Sequence, residues 1–182
     1  MAATFKSASS LRASPSAGCT RAGGFTLIEL MIVLVIVAVL LVIALPSFSV
    51  VSLRTKLKSY ANEIVSSAYL ARSEAIKRNA PMTLCASSDG DTCAGGGDWD
   101  QGWVVMDPND TVIKRQQPLS SGIKVFALSS LHTMTFQPSG ITTTPTTMTI
   151  CQQSPEEGIE EREIRISTTA RPRVTTTTDG CP

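Results

Sequence analysis

Apolar residues dominate one stretch near the start of the chain. From Phe25 to Leu45, 21 consecutive residues are apolar except for Thr26 and Glu29. As a helix this stretch is about 31 Å long, which is enough for one bilayer crossing. We therefore predict a transmembrane helix over residues 25–45. Glu29 needs a partner there, because a lone ionised carboxylate in hydrocarbon is unfavourable.

The pattern stays helical after Pro46 but becomes amphipathic. Proline removes a backbone hydrogen bond and clashes with the preceding turn, so we predict a kink at this point. Beyond it, one face is apolar and the other is charged, which predicts an amphipathic helix over 46–78 that ends at Asn79-Ala80-Pro81. The apolar face comprises Val50, Leu53, Leu57, Ile64, Ala68, Ala71, Ala75 and Ile76.

After Pro81 the period of the pattern changes to that of short strands. These segments are rich in Thr and are separated by Gly, Pro, Asp and Ser, which is typical of half-exposed strands joined by turns. One helix followed by many strands predicts an α+β fold in which the helix covers one face of an antiparallel sheet. The predicted strands are Met82–Cys85, Gly102–Met106, Thr111–Gln116, Ile123–Leu128, Thr133–Gln137, Thr146–Cys151, Glu163–Thr168 and Val174–Thr177.

The first 24 residues differ in composition from the rest. They carry Lys6, Arg12 and Arg21 but no acidic residue, which marks the cytoplasmic side of a membrane. The pair Gly23-Gly24 precedes the apolar run, whereas an ordinary secretory signal has its cleavage site after that run. We interpret residues 1–24 as a leader that does not belong to the fold and residues 46–182 as one globular domain that faces the periplasm.

The charge balance limits the kind of partner. The whole chain carries a formal charge of +1, but without the three basic leader residues 13 Lys and Arg face 15 Asp and Glu, a balance of −2. The mature chain is therefore not a polycation, so any nucleic-acid binding must come from a local patch.

Four cysteines remain after the leader: Cys85, Cys93, Cys151 and Cys181. An even number in a chain that faces the periplasm indicates disulfide bonds. Three pairings are possible, and we predict the nearest-neighbour one, Cys85 with Cys93 and Cys151 with Cys181. Zinc is a weaker alternative, because the spacings lack the paired C-x2-C type and the chain has a single histidine.

Catalysis has little support in the sequence. His132 is the only histidine and stands among apolar residues, and no nucleophile, zinc-protease or phosphate-loop motif is present. We therefore predict that the protein is not an enzyme and has no cofactor. The acidic stretch from Asp89 to Asp100 lacks the spacing of a calcium loop, so we interpret it as a solvated loop, with calcium binding as the alternative.

Arg171 and Arg173 stand on either side of a proline near the end of the chain. Two guanidinium groups on an exposed loop are suited to bidentate contacts with phosphates. The alternative is a pair of solvated arginines that form salt bridges with the acidic run at 156–161. The residues alone favour this alternative.

Gly24, Phe25 and Glu29 together resemble the class III signal of type IV pilins and type II secretion pseudopilins. This resemblance implies that a prepilin peptidase cuts between Gly24 and Phe25, that the new amine of Phe25 is N-methylated, and that Glu29 neutralises this amine during assembly with other pilins. It also implies a single-pass protein of the inner membrane with a periplasmic domain, which reaches the cell surface in a pilus.

Three further blocks extend the resemblance over nearly the whole mature chain. Ala71 to Arg78, Trp99 to Val105 and Thr135 to Gly140 resemble, in this order, the FimT/GspH family of minor pilins and pseudopilins. The resemblance implies a type IV pilin-like fold, in which a long N-terminal helix packs on antiparallel β-sheet.

The same family suggests two functions. FimT proteins of competent bacteria carry a Gly-Arg-x-Arg motif that contacts DNA during uptake in natural transformation. Arg171 and Arg173 match both arginines of that motif, while Ala170 replaces the glycine. The resemblance thus implies sequence-independent DNA binding, for which Arg165, Lys114 and Arg115 are further candidates. The alternative is a GspH-like structural pseudopilin of a type II secretion system that does not bind DNA.

Overall fold

The computed structural model describes residues 24–96, 98–154 and 159–178, and for residues 43–47 the backbone alone. The chain divides into two compact units, Met1–Ile43 and Ala44–Pro182. Helix α1 (Leu27–Arg78) begins in the first unit and ends in the second. The predicted kink at Pro46 concerns the junction of the two units and stays a prediction.

In the first unit, Thr26 caps the start of α1. The backbone N–H of Glu29 donates to Thr26 Oγ1 at 3.2 Å, which satisfies one of the free donors at a helix N-terminus. Among the described residues, no helix is long and apolar enough to cross a membrane. The span over 25–45 includes residues whose side chains are not described, and it remains a prediction.

In the second unit, α1 presents one apolar face and ends where the sequence predicts. Asn79 has a φ of +50°. The backbone N–H of Ala80 donates to Ala75 O at 3.2 Å and that of Asn79 to Ile76 O at 3.4 Å, the two bonds of a Schellman motif. Pro81 follows, and the chain turns into the first strand. The buried face of the helix comprises Leu57, Ala61, Ile64, Ala68, Ala71 and Ala75.

Eight strands follow, and they form two antiparallel sheets of four strands each. The first sheet has the order β3-β2-β1-β5, with β1 (Met82–Ala86), β2 (Trp103–Met106), β3 (Val112–Gln116) and β5 (Thr133–Phe136). The second has the order β4-β6-β7-β8, with β4 (Ile123–Ala127), β6 (Thr146–Gln152), β7 (Glu161–Ile166) and β8 (Pro172–Thr177). Single 3₁₀ turns lie at Trp99–Gln101 and Leu128–Ser130.

The α+β class and all eight predicted strands are confirmed. The strands form two sheets, however, whereas one sheet was predicted. Alternation of apolar and polar residues determines which face of a strand is buried and not which strand lies beside it. β4 pairs with β6, which comes later in the chain, and so starts the second sheet.

One continuous core joins the helix to both sheets. It includes Ile64 from the helix, Leu84 from the first sheet and Ile150 from the second, all of them fully buried. Trp103 reinforces the contact, because its indole Nε1 donates to Ser67 Oγ of the helix at 2.9 Å. Trp99 and Trp103 both lie in this core, with their ring centroids 6.5 Å apart.

Candidate functional site

The N-terminal candidate residues lie exposed at the start of the first unit. Phe25 is 84% exposed, and Gly24 and Glu29 are exposed as well. The apolar side chains that follow along the helix, from Leu27 to Val42, are exposed too. Among the described residues of this unit, nothing covers this apolar surface, which is therefore suited to lipid or to the helices of other subunits.

The C-terminal candidate site is the β-hairpin formed by β7 and β8. Its turn closes with the backbone N–H of Ala170 donating to Ser167 O at 2.8 Å. Ala170 has a φ of +53°, the left-handed region that favours glycine, and its side chain is fully buried. The turn therefore keeps a glycine-type backbone although it carries an alanine.

The turn leads into two exposed arginines. Arg171 precedes β8 and Arg173 lies within it, and both are exposed. In the described part of the chain, no carboxylate lies within ion-pair distance of either residue. Of the acidic run at 156–161, residues 156–158 lie outside the described residues, and Glu160 lies 3.8 Å from Arg162. The expected salt bridges between that run and the arginine pair are therefore absent from the described residues.

Arg165 joins this pair through the register of the hairpin. Arg165 on β7 stands directly opposite Arg173 on β8, and Thr147 on β6 stands on its other side. Like charges directly opposite each other on neighbouring strands are destabilising. The Arg165 side chain is 69% exposed, and its Nη2 lies 3.2 Å from Oε1 of Glu163 on the same strand. The fold thus brings Arg165 and Arg173 together on the last two strands of the sheet, with Arg171 two residues before Arg173 and the Glu163 carboxylate beside Arg165.

Lys114 and Arg115, the other two candidates, lie on β3 in the other sheet. Lys114 Nζ donates to Glu63 Oε2 at 3.0 Å and to Ser66 Oγ at 3.1 Å. Arg115 donates to Gly90 O at 2.7 Å and forms an ion pair with Asp91. Their positive charge is therefore largely neutralised by neighbouring carboxylates.

The acidic loop after β1 is held by its own hydrogen bonds. Cys85 and Cys93 form a disulfide bond that closes it, as predicted. Inside the loop, Asp89 accepts from the hydroxyl and backbone N–H of Thr92 at 2.7 and 2.9 Å. These bonds, with others from Asp91 and Ser87, hold the pKa of Asp89 well below its ordinary value of 3.8. Among the described residues, no three His, Cys, Asp or Glu side chains are grouped to hold a metal ion.

Cys151 is also disulfide-bonded. Its partner is not among the described residues, and neither is Cys181, so this pairing stays a prediction. The sequence reasoning missed one residue of the candidate site, Glu163. The available signal was its i, i+2 spacing from Arg165 on a predicted strand, which puts both side chains on the same face.

Two family models match parts of the chain. The family model of the type II transport protein GspH matches residues 60–170, and that of the prokaryotic N-terminal methylation motif matches residues 19–45. The first match covers more than half of the chain and stops one residue before Arg171. A search of curated proteins gave no match.

The solved structure of a minor pilin shows a similar fold, and that of a minor pseudopilin is also matched. The type IV minor pilin FimU of Pseudomonas aeruginosa is 22% identical, with a TM-score of 0.53, over 69% of this chain and 90% of that one. The minor pseudopilin EpsH from the type 2 secretion system of Vibrio cholerae is 14% identical, with a TM-score of 0.49, over 66% of this chain and 97% of that one.

Proposed function

Because the chain belongs to the GspH family of minor pilins and pseudopilins, we propose that it is a minor type IV pilin that binds extracellular DNA for uptake in natural transformation. The family is structural and non-enzymatic. In this proposal the leader 1–24 is removed, residues 25–45 anchor the chain in the inner membrane, and the domain 46–182 faces the periplasm. The mature protein is then built into a pilus with other pilins.

The carrying observation is the exposed arginine pair at the end of the second sheet. Arg171 and Arg173 lie on either side of Pro172 and have no carboxylate partner among the described residues. An unpaired guanidinium group offers its donors in a planar fork that matches phosphate oxygens. Arg165, directly across from Arg173, adds a third positive charge.

The remaining candidates contribute less in this proposal. Lys114 and Arg115 would have to leave Glu63 and Asp91 before they contact a phosphate. We therefore expect Arg171 and Arg173 to supply most of the affinity, with Arg165 next and the two residues of β3 last.

The expected binding is weak and electrostatic. The mature side chains sum to −2, so long-range attraction is small and the affinity is expected in the micromolar range. Each phosphate contact contributes about 0.9 to the salt slope on duplex DNA, so two to four contacts give a slope of about 2 to 4. Sequence should matter little, because phosphate contacts carry no base information.

The test uses the full chain in a neutral detergent and a fluorescently labelled duplex at low salt. Arg171→Ala combined with Arg173→Ala should nearly abolish binding and lower the salt slope. The matched control is Lys56→Ala with Lys58→Ala, which removes the same charge at two exposed positions of the helix. The control should bind within about twofold of the parent, because both lysines lie on the helix and not on the hairpin that carries the arginines.

The proposed role in DNA uptake is contradicted if the parent does not bind the duplex at low salt, or if the arginine variant binds it as well as the parent. The better account is then the second candidate, a structural pseudopilin of a type II secretion system. One observation favours that candidate: the family match stops at residue 170, before both arginines.

Processing of the N-terminus has its own test. We expect Gly24→Ala to block cleavage, because the peptidase recognises the residue before the cut. Glu29→Ala should leave cleavage intact and impair incorporation into the filament, since its carboxylate then no longer neutralises the Phe25 amine. Intact-mass analysis of membrane fractions decides between these outcomes. A mature mass that does not start at Phe25 contradicts the proposal.

A further inference from the structure

A shallow depression lies on the exposed face of the hairpin between β7 and β8. Its lining consists of Glu163 and Arg165 from β7 and Arg173 and Thr175 from β8, and its volume is about 160 Å³. In the register of the two strands, Arg165 stands opposite Arg173 and Glu163 stands opposite Thr175. The depression therefore has two cations in one row and one anion in the next.

Among the described residues, one charged side chain, that of Arg165, lies within ion-pair distance of the Glu163 carboxylate. Its cross-strand neighbours, Thr149 on β6 and Thr175 on β8, are uncharged. Its Oε1 lies 3.2 Å from Arg165 Nη2. Arg165 is drawn towards Glu163 and away from Arg173, because the first contact is attractive and the second repulsive.

The two side chains differ in their access to solvent. The Glu163 side chain is 27% exposed, whereas that of Arg165 is 69% exposed. A phosphate that approaches the arginines thus meets the Arg165 guanidinium first, with the carboxylate behind it. The same carboxylate repels the phosphate and competes with it for the guanidinium group.

We propose that Glu163 is a built-in competitor of the nucleic-acid phosphate at this site: it holds Arg165 and thereby limits the affinity for DNA. This inference rests on the proposed function. Affinity differences among variants of one interface arise mainly in the dissociation rate. Glu163 therefore shortens the lifetime of the complex, and its removal lengthens it.

The test compares Glu163→Gln with Glu160→Gln in the full chain, with the same labelled duplex in a salt series, and the affinities are compared at about 0.1 M salt. Both changes remove one negative charge, and glutamine keeps the size of the side chain. Glu160 lies three residues earlier, about 10 Å along an extended chain, where its effect is screened at about 0.1 M salt. It pairs with Arg162, which is not part of the depression.

Glu163→Gln should raise the affinity about 3- to 10-fold, as expected for removal of one charge at short range in a partly solvated site. It should also raise the salt slope by about 0.9, because Arg165 becomes free for one more phosphate. Glu160→Gln should change the affinity less than about twofold, given the screening described above. In the Arg165→Gln background, Glu163→Gln should change the affinity less than about twofold, since the carboxylate then has no guanidinium group to hold.

Each outcome has a clear meaning. If Glu163→Gln gains no more than Glu160→Gln while the parent binds DNA, the inference is overturned and the proposed function stands. A gain that survives Arg165→Gln also overturns it, because the effect is then general charge. If neither the parent nor Glu163→Gln binds, both proposals are overturned. Thermal unfolding of each variant confirms that the changes in affinity are not changes in folding.

Discussion

The two sheets of the second unit differ in how their positively charged side chains are paired. On β3 of the first sheet, Lys114 pairs with Glu63 and Arg115 with Asp91. At the far edge of the second sheet, Arg165 and Arg173 stand opposite each other. Arg115 of the first sheet contacts a loop that a disulfide bond closes, whereas the arginines of the second sheet lie beside a turn that one backbone hydrogen bond closes.

This difference suggests that the first sheet contributes mainly to stability and the arginines of the second sheet mainly to binding. Paired charges and buried aromatic residues stabilise the first sheet, so changes there should be measured in unfolding. Like charges on facing strands oppose folding, and here only Arg165 has a carboxylate beside it among the described residues, that of Glu163; such departures from local consistency are typical of functional positions. Changes at the arginine edge should therefore alter binding and leave stability nearly unchanged.

The largest effect is expected for Trp103→Ala in the first sheet. Trp103 is 1% exposed, and its indole donates to Ser67 on the helix. Loss of a buried tryptophan leaves a cavity and should lower the free energy of unfolding by about 4 kcal/mol. Urea unfolding of the full chain in detergent, followed by far-UV circular dichroism, measures this. Arg173→Ala in the second sheet should cost less than about 0.5 kcal/mol. If it destabilises the protein as much as Trp103→Ala does, the contrast between the two sheets is contradicted.

Gly102→Ala should give the next largest effect. Gly102 has a φ of +111°, and an added Cβ would lie 2.5 Å from the backbone O of Gln116 on β3. The strained backbone and the clash together should cost about 3 kcal/mol. Gly96→Ala is the matched control, because nothing lies within 4 Å of its Cβ position. Equal melting temperatures for the two variants would contradict the role of Gly102.

Loss of the disulfide bond ranks third. Cys93→Ser opens a loop whose ends are eight residues apart, which on the loop-entropy model costs about 2.5 kcal/mol. The double change Cys85→Ser with Cys93→Ser should cost nearly the same, because the loop is already open in the single variant. Urea unfolding under non-reducing conditions compares them. A loss below about 0.5 kcal/mol for Cys93→Ser would show that the loop is ordered without the bond, for example by Asp89 and its hydrogen bonds.

Much of this architecture is encoded locally and was therefore predictable. The end of the helix at Arg78 follows from Asn79 and Pro81, and the strands follow from their alternation and the turns between them. The Cys85–Cys93 bond follows from the short spacing of two cysteines in an exported chain.

The arrangement of the strands in two sheets and the position of the arginines could not be predicted, because both depend on strand pairing. The split into two sheets separates Lys114 and Arg115 from the arginine edge, and no local pattern indicates it. Likewise, Arg165 meets Arg173 only because the hairpin register pairs them. A shift of one residue would turn one of the two to the other face of the sheet, so the site is set by pairing contacts and not by sequence spacing alone.

The smallest effect is expected for Ala170→Gly at the turn beside the arginines. Glycine relieves the φ of +53°, which is worth about 1 kcal/mol. It also removes a fully buried methyl group and frees the unfolded chain, which together cost about 1 to 2 kcal/mol. These terms nearly cancel, so the free energy of unfolding should fall by no more than about 1 kcal/mol.

The turn bond from Ala170 N–H to Ser167 O is a backbone contact that glycine retains. Arg171 and Arg173 should thus be presented as before, and the duplex affinity should stay within about twofold, well under one tenfold step. A large loss of affinity at unchanged stability would show that the alanine methyl, and not the backbone alone, positions the arginine pair.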